Sequence, residues 1–391
     1  MTPPTAHELL ERARTLGPEI AARSDEIERE RRIPPDLLDA LLAGGFYRML
    51  LPRPFGGSEL DPLSYAAIIE EIAKHDASIA WCLGQGCGCS MVAAFLAPEI
   101  ADEIFGSDAR AILAWGPGAG AKAMVVDGGY RVTGSWSFAS GMRHATWLGG
   151  ACQIVEPDGT VRRREDGAPV GRTMLMRARD VTVSDIWHVI GLRGTASDAF
   201  AVTDHFVPAA YSVTRDDQSE RRYQGPLYAL PTNSLYATSF SSVALGIART
   251  TLDAFLALCR EKSPRGFGGL LRDNAVIQTQ IAEAEARWQA ARHLLHQTLA
   301  AAWPEVERKN QVTLDQRMRI RLAATFAIGE ATAVVDTAYH AAGATAIFAS
   351  SAFERRFRDI HTVAQQIQGR RSHFETVGRH MLGLETDNAF L

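Results

Sequence analysis

Hydrophobic and polar positions follow one another along this chain in two rhythms. In "ELLERARTLGPEIAARSDEIERERR" (8–32) apolar residues fall at three- and four-residue steps with charges between them, which predicts an amphipathic helix. "PPDLLDALLAGGF" (34–46) opens on prolines suited to a first helical turn and stops at Gly44-Gly45. "SYAAIIEEIAKHDASIAWCLG" (64–84) is more apolar, as a helix central in its layer should be. Near residue 111 the period shortens to two. "VVDGGYRVTGSWSFASG" (125–141) sets an Asp127-Gly128-Gly129 turn before alternating Tyr130 and Val132. "WLGGACQIV" (147–155), "TMLMRARDVTV" (173–183) and "DAFAVTDHFV" (198–207) follow, separated by turn clusters, and predict a small antiparallel β domain, a barrel or sandwich. From residue 232 the helical period returns in four long stretches, 234–262, 274–303, 314–343 and 359–383, which predict an antiparallel bundle. The expected α+β organisation is therefore a helical domain over 1–110, a β domain over 111–215 and a four-helix bundle over 216–391.

Composition narrows the function classes. A chain of 391 residues with 46% hydrophobic and 22% charged residues has the make-up of a globular protein of two or three packed domains. A net charge of -4 gives no electrostatic reason to expect nucleic acid or an anionic membrane as partner. The basic runs at 162–164 and 220–222 read as solvated loops. No unbroken run of about 18 apolar residues is visible, so no membrane span is expected. The polar, amphipathic start is unlike a signal peptide. Cys82, Cys87, Cys89, Cys152 and Cys259 form no disulfide or zinc pattern and are expected as buried thiols of a cytoplasmic protein, with no metal.

Five stretches, in order, resemble the acyl-CoA dehydrogenase superfamily. They are "LLAGGFYRMLLPRPFGG" (41–57), "DGGYRVTGSWSFASG" (127–141), "GLRGTASDAFAVTDHFVP" (191–208), "RGFGGLLRDNAVIQTQIAEAEA" (265–286) and "ERRFRDIHT" (354–362). Within it the text is similar to the branch of flavin-dependent monooxygenases that take reduced flavin from a separate reductase. The match there is Trp136-Ser137-Phe138-Ala139-Ser140-Gly141 with His144, and the ending "GATAIFASSAFERRFRDIH" (343–361). The resemblance implies an N-terminal helical domain, a middle β-barrel, a C-terminal four-helix bundle and a homotetramer. It also implies a C4a-(hydro)peroxyflavin that oxidises a small aromatic or heteroatom substrate with O2.

The dehydrogenase chemistry of the superfamily is not expected. Removing an α-proton from a thioester needs a carboxylate beside the substrate. The resemblance puts that glutamate's usual slot at Ile367 and its alternative near Tyr236, and neither can take a proton. The monooxygenase branch usually keeps a histidine one turn past the R-D-x-H-T motif, where this chain has Gln365-Gln366-Ile367. Its second common histidine falls near Cys87–Cys89. A glutamine can donate and accept hydrogen bonds but is no base. Substrates that are already nucleophilic, such as an indole carbon, a sulfide or an amine, are therefore favoured over phenols. Gln366 remains a candidate at the reaction centre, and His144, His361 and His373 are candidate replacements for the missing histidine.

For the cofactor, the resemblance implies Ser140 at the flavin N5, with Trp136 and Phe138 along the ring. Trp115 and Gly116 of "LAWGPGAGA" (113–121) would form a flavin-contacting loop where glycine permits close backbone approach. Arg265, Gln278 and Gly343 are the matching phosphate or adenosine contacts across a subunit boundary. There the usual Gly-Gly reads Gly343-Ala344, and the usual arginine slot falls on Pro264. That weakening favours FMN, with FAD as the alternative. "GPGAG" (116–120) lacks dinucleotide-loop spacing, so a partner NAD(P)H:flavin reductase would handle the nicotinamide. A dehydrogenase-like oxidase with a displaced base, and a non-catalytic binding subunit, are the rival readings.

Overall fold

The computed structural model describes residues 3–266, 268–387 and 391. Six helices precede the sheet: α1 (Ala6–Ala22), α2 (Ser24–Glu30), α3 (Pro35–Ala43), α4 (Pro62–Ala73), α5 (Ala77–Ser90) and α6 (Pro98–Ala101). The expected single helix over 8–32 is thus two, parted at Arg23, whose N–H still bonds back to Ala21 and Ile20. Asp61 and Asp76 cap α4 and α5 by accepting backbone N–H bonds, which fixes where both start.

The sheet contains β1 (Leu113–Gly116), β2 (Lys122–Val126), β3 (Gly129–Trp136), β4 (Trp147–Val155), β5 (Gly171–Arg177), β6 (Thr182–Ser184), β7 (Ala199–Pro208) and β8 (Ser212–Val213). Its order is β6-β7-β3-β2-β4-β5-β8, with β1 beside β4. An antiparallel domain was expected, yet the sheet is mixed, because β1 and β2 both run parallel to β4. They occupy successive stretches of one edge of β4, with the loop 117–121 between them. After the β2–β3 hairpin the chain must cross over to reach β4, and residues 137–146 make that crossing. Ser140 sits in it.

The bundle follows as α7 (Thr232–Glu261), α8 (Ala275–Lys309), α9 (Leu314–Ala342), α10 (Ala352–Gln365) and α11 (Ser372–Met381). The expected last long helix is broken. Gln366 folds its side-chain oxygen onto the Gln368 N–H at 2.6 Å, capping a short turn that ends α10. The helices before and after the sheet share one hydrophobic core, while the sheet has its own around Trp136, Val132, Met174 and Phe200. Two helical stretches, 77–94 and 232–261, are after all long and apolar enough to cross a bilayer. Their surfaces are already covered by protein, at 100% and 61% burial, so they serve as core helices. All five cysteines are buried and free.

Candidate functional site

Where the sheet, α5, α7 and α10 meet lies a cavity of about 760 Å³. Its barrel wall is the crossing segment. Phe138 there has φ 55°, a left-handed value costly for a bulky residue, and Gly141 follows at 79°. The strain is held by two backbone bonds, Ala139 N–H to the Asp198 carbonyl (3.1 Å) and Gly141 N–H to the Thr195 carbonyl (2.8 Å). Asp198 is fully buried. Its carboxylate accepts from Arg143 Nε at 2.7 Å and from the N–H groups of Ile186 and Trp187 at 3.1 Å. Trp187 lines the cavity and meets Phe138 edge-on at 6.0 Å. Gly116 lies so close to the crossing that a Cβ would stand 2.0 Å from the Ser137 carbonyl oxygen.

The hydroxyl chain behind Ser140 has one direction in which all three hydroxyl protons find an acceptor within the protein. Thr195 Oγ1 donates to the Leu192 carbonyl at 2.8 Å, since a carbonyl can only accept. Its proton thus used, Thr195 accepts from Ser197 at 2.8 Å, and Ser197 in turn accepts from Ser140 at 2.7 Å. Trp81 Nε1–H, a pure donor, takes one Ser140 lone pair at 3.0 Å. One lone pair remains. With the protons placed in that direction, Ser140 lines the cavity and offers it an acceptor.

The helical wall is an aromatic ladder. Trp81 of α5 stacks on Phe240 of α7 at 3.8 Å and 8°, and Phe240 stacks on Tyr236 at 5.6 Å and 7°. Gln85, one turn after Trp81, donates to the Trp115 carbonyl at 3.5 Å and the Tyr236 hydroxyl at 3.4 Å. Burial holds the Tyr236 hydroxyl protonated, far above its ordinary range, and pushes the neighbouring Cys89 thiol up to about 12. The guanidinium of Arg215, also a lining residue, lies 4.0 Å over the Trp115 ring.

The third wall is the end of α10. His361 faces the cavity with Nε2 2.9 Å from Asp336 Oδ1. Gln365, Gln366, Ile367 and Gln368 follow along the wall, with Gln368 accepting from the buried Arg321. Burial draws the Arg321 pKa down to about 10. Among the described residues that line the cavity there is no aspartate or glutamate.

The structure therefore brings together Ser140, Phe138, Trp115, Gly116, His361 and Gln366 from the sequence-derived set. Others lie elsewhere. Trp136 does not border a ring site: it points into the sheet core, stacked on Phe200 with Nε1 bonded to the Ala151 carbonyl. His144 joins the barrel to the N-terminal helices through Tyr47 Oη at 2.8 Å, and burial lowers its pKa to about 4. It does not line the cavity. His373 bonds the Ile367 carbonyl at 2.8 Å and holds the C-terminal turn. Arg265, Gln278 and Gly343 are absent from the cavity walls. Gln278 Nε2 instead ties down the Arg272 carbonyl, and Lys262 bridges the end of α9 beside Gly343. Phe267 of the "RGFGG" motif lies outside the described residues.

Sequence reasoning missed Thr195, Ser197, Asp198, Trp187 and Arg215. The first three sit inside "GLRGTASDAF" (191–200), where short polar residues at three of the four positions 195–198, just before a strand, were the available signal. Arg215 had none, because nothing local announces which cavity a linker arginine borders.

Comparison with known proteins gives two domain matches. The acyl-CoA dehydrogenase N-terminal domain matches residues 4–106 and the acyl-CoA dehydrogenase C-terminal domain matches 238–370. The oxygenase subunit HsaA of a flavin-dependent monooxygenase from Rhodococcus jostii (strain RHA1) is 30% identical, over 90% of this chain and 92% of its own. Indole-3-acetate monooxygenase of Pseudomonas putida is 29% identical, over 88% of this chain and 86% of its own. The structure of XiaF from Streptomyces sp., in complex with FADH2 and glycerol, superposes with a TM-score of 0.89 at 25% identity, covering 99% of this chain and 98% of its own.

Proposed function

The chain belongs to the flavin-dependent monooxygenase branch of the acyl-CoA dehydrogenase family, and from that premise we propose that it is the oxygenase component of a two-component system. It takes reduced flavin from a separate NAD(P)H:flavin reductase and, with O2, inserts one oxygen atom into a small aromatic or heteroatom-bearing substrate. The observation that carries this reading is a Ser140 hydroxyl whose proton has a partner in Ser197, at the edge of a cavity whose described lining holds no carboxylate.

The residues fit a flavin in its reduced state. Reduced flavin carries a proton on N5 and can donate to Ser140, whereas oxidised flavin offers N5 as an acceptor and finds no donor there. When bound, the reduced ring supplies the electrons that activate O2. Ser140 would hold the N5 proton of a bound reduced flavin, and the stacked Trp81, Phe240 and Tyr236 would keep water from the site. Gly116 and Trp115 supply a backbone edge for the ring. Lacking a carboxylate, the cavity suits a substrate that attacks without prior deprotonation.

FMN is the expected flavin, with FAD as the alternative that XiaF's bound FADH2 supports. Contact of Arg265, Gln278 and Gly343 with the phosphate side of a neighbouring subunit's flavin, in a homotetramer, is part of the same proposal. So is a cytoplasmic location, which five free thiols suit.

Anaerobic titration with reduced and oxidised FMN and FAD tests the core of this. Reduced flavin should bind at least about tenfold tighter, the worth of one well-placed buried hydrogen bond. Rapid mixing with O2 should then show an absorbing species distinct from both flavin states. In Ser140→Ala that species should decay faster, with more hydrogen peroxide released. Tight retention of oxidised flavin, bleached by an acyl-CoA thioester, would overturn the reading in favour of a dehydrogenase-like oxidase.

A further inference from the structure

Arg215 is a cation in a cavity that gives it nothing to neutralise it. Among the described residues its guanidinium has no hydrogen bond and no carboxylate within ion-pair distance; it lies over the face of Trp115 at 4.0 Å. Arg143, Arg172 and Arg249, by contrast, pair with Asp198, Glu220 and Glu285, and the half-buried Arg48 and Arg356 donate to backbone carbonyls. A partly desolvated charge left unpaired costs free energy, so a fold that keeps one beside a ligand cavity leaves room for an anion to complete it. The contact with the Trp115 face anchors the guanidinium, and none of its N–H groups meets a carboxylate among the described residues.

Position sharpens this. Trp81, which donates to Ser140, and Cys89, whose thiol feels the charge of Arg215, are eight residues apart on α5. Eight residues of helix span about 12 Å. Tyr236, stacked toward the Trp81 end through Phe240, feels the same charge at the other. The aromatic ladder therefore runs from the acceptor hydroxyl to the cation. We propose that the substrate is an aromatic carboxylate, its ring laid along Phe240 and Tyr236 and its carboxylate paired with Arg215. Arg370 also borders the cavity, but it is exposed, and Arg215 is the cation beside Trp115. The inference rests on the oxygenase reading for which site is meant, but not for its test.

Isothermal titration with matched acids and amides reads it directly: benzoate and benzamide, phenylacetate and phenylacetamide, 2-naphthoate and 2-naphthamide. At least one acid should bind about tenfold or more tighter than its amide, the worth of a charge-assisted bond. In Arg215→Met that preference should fall to within about twofold while the amide's affinity holds. Arg215→Lys, which keeps the charge without the fork, should retain a part of it. A panel in which no acid outbinds its amide overturns the proposal, and so does a preference that survives in Arg215→Met. Reduced-FMN binding, titrated on the same samples, separates the two ideas. Acid preference without reduced-flavin binding supports Arg215 and sinks the oxygenase reading; reduced-flavin binding without acid preference does the reverse.

Discussion

The barrel wall and the bundle wall of the cavity are built by opposite means. On the barrel side a strained backbone is pinned from below. Asp198 gathers three donors, and Thr195, Ser197 and Ser140 spend their protons in one direction. On the bundle side α10 stops, a glutamine caps the turn with its own side chain, and amides face the cavity. The first wall aligns a chain of hydroxyls behind Ser140. The second presents Gln365 and Gln366 to the cavity, with only Gln368 tied into the core through Arg321. The family motif around Ser140 is kept where the wall is rigid, and the departures at Gln365 and Gln366 fall where it is soft.

The largest expected effect tests that rigidity. Asp198→Ala leaves Arg143 Nε and two backbone N–H groups without their acceptor, Arg143 keeping only its pairing with Asp185, and should lower the unfolding free energy by about 3 kcal/mol. Gln366→Ala loses one capping bond and should cost about 1 kcal/mol. Urea denaturation of both variants measures the contrast, and equal losses would abolish it.

A second effect lies where the walls join. Asp359 of α10 accepts the Leu192 N–H at 2.7 Å, and burial, against that bond, pushes its pKa up to about 7. An unfolded aspartate titrates near 3.9. Between those values the folded protein keeps a proton that the unfolded chain has lost, so stability should fall as pH rises from about 4 to about 7, at up to about 1.4 kcal/mol per pH unit. Below that window the contribution is fully present. Asp359→Asn keeps an acceptor for Leu192 and cannot titrate, so its stability profile should be flatter there. Parallel slopes for the two proteins would mean that the proton is held elsewhere.

These features differ in how far the sequence exposes them. The three-part architecture is written in the change of period near residues 111 and 232, because burial of a helix stripe and a strand face is a local pattern. The parallel pairing of β1 and β2 with β4 is not local: it follows from the crossing at 137–146, which reads only as a loop. Ser140 is legible through its motif. Its polarity is not, since that depends on Leu192 accepting from Thr195 across a turn. Trp136 looked like Phe138, two positions on, yet the chain turns left-handed at Phe138 and breaks the strand alternation that would put both on one face.

The hydroxyl chain yields a smaller but sharper test of the rigid wall. Thr195→Val keeps the shape and deletes the link to the Leu192 carbonyl. Ser197 is then free to donate toward Ser140, whose own proton can swing into the cavity and meet oxidised N5. The preference for reduced over oxidised flavin should shrink by about tenfold, mainly through tighter binding of the oxidised form. Unchanged affinities for both states would show that Ser140 polarity is set some other way.

The smallest expected effect concerns the bundle wall, where a histidine still faces the cavity. His361 is oriented by Asp336 at 2.9 Å, the arrangement of a general base, and Phe357 packs edge-on against its ring at 4.4 Å. A base at the reacting atom would contribute about 100-fold or more to turnover. Yet the ladder and Arg215 hold the substrate against α5 and α7, and a ring carbon or heteroatom that is already nucleophilic has no proton to surrender before attack. On that argument His361→Asn, assayed with reduced flavin in excess, should change kcat by less than about fivefold, well short of a general-base loss. A drop of two orders of magnitude would move proton handling onto the soft wall. It would also return phenols, which must be ionised, to the front of the substrate classes.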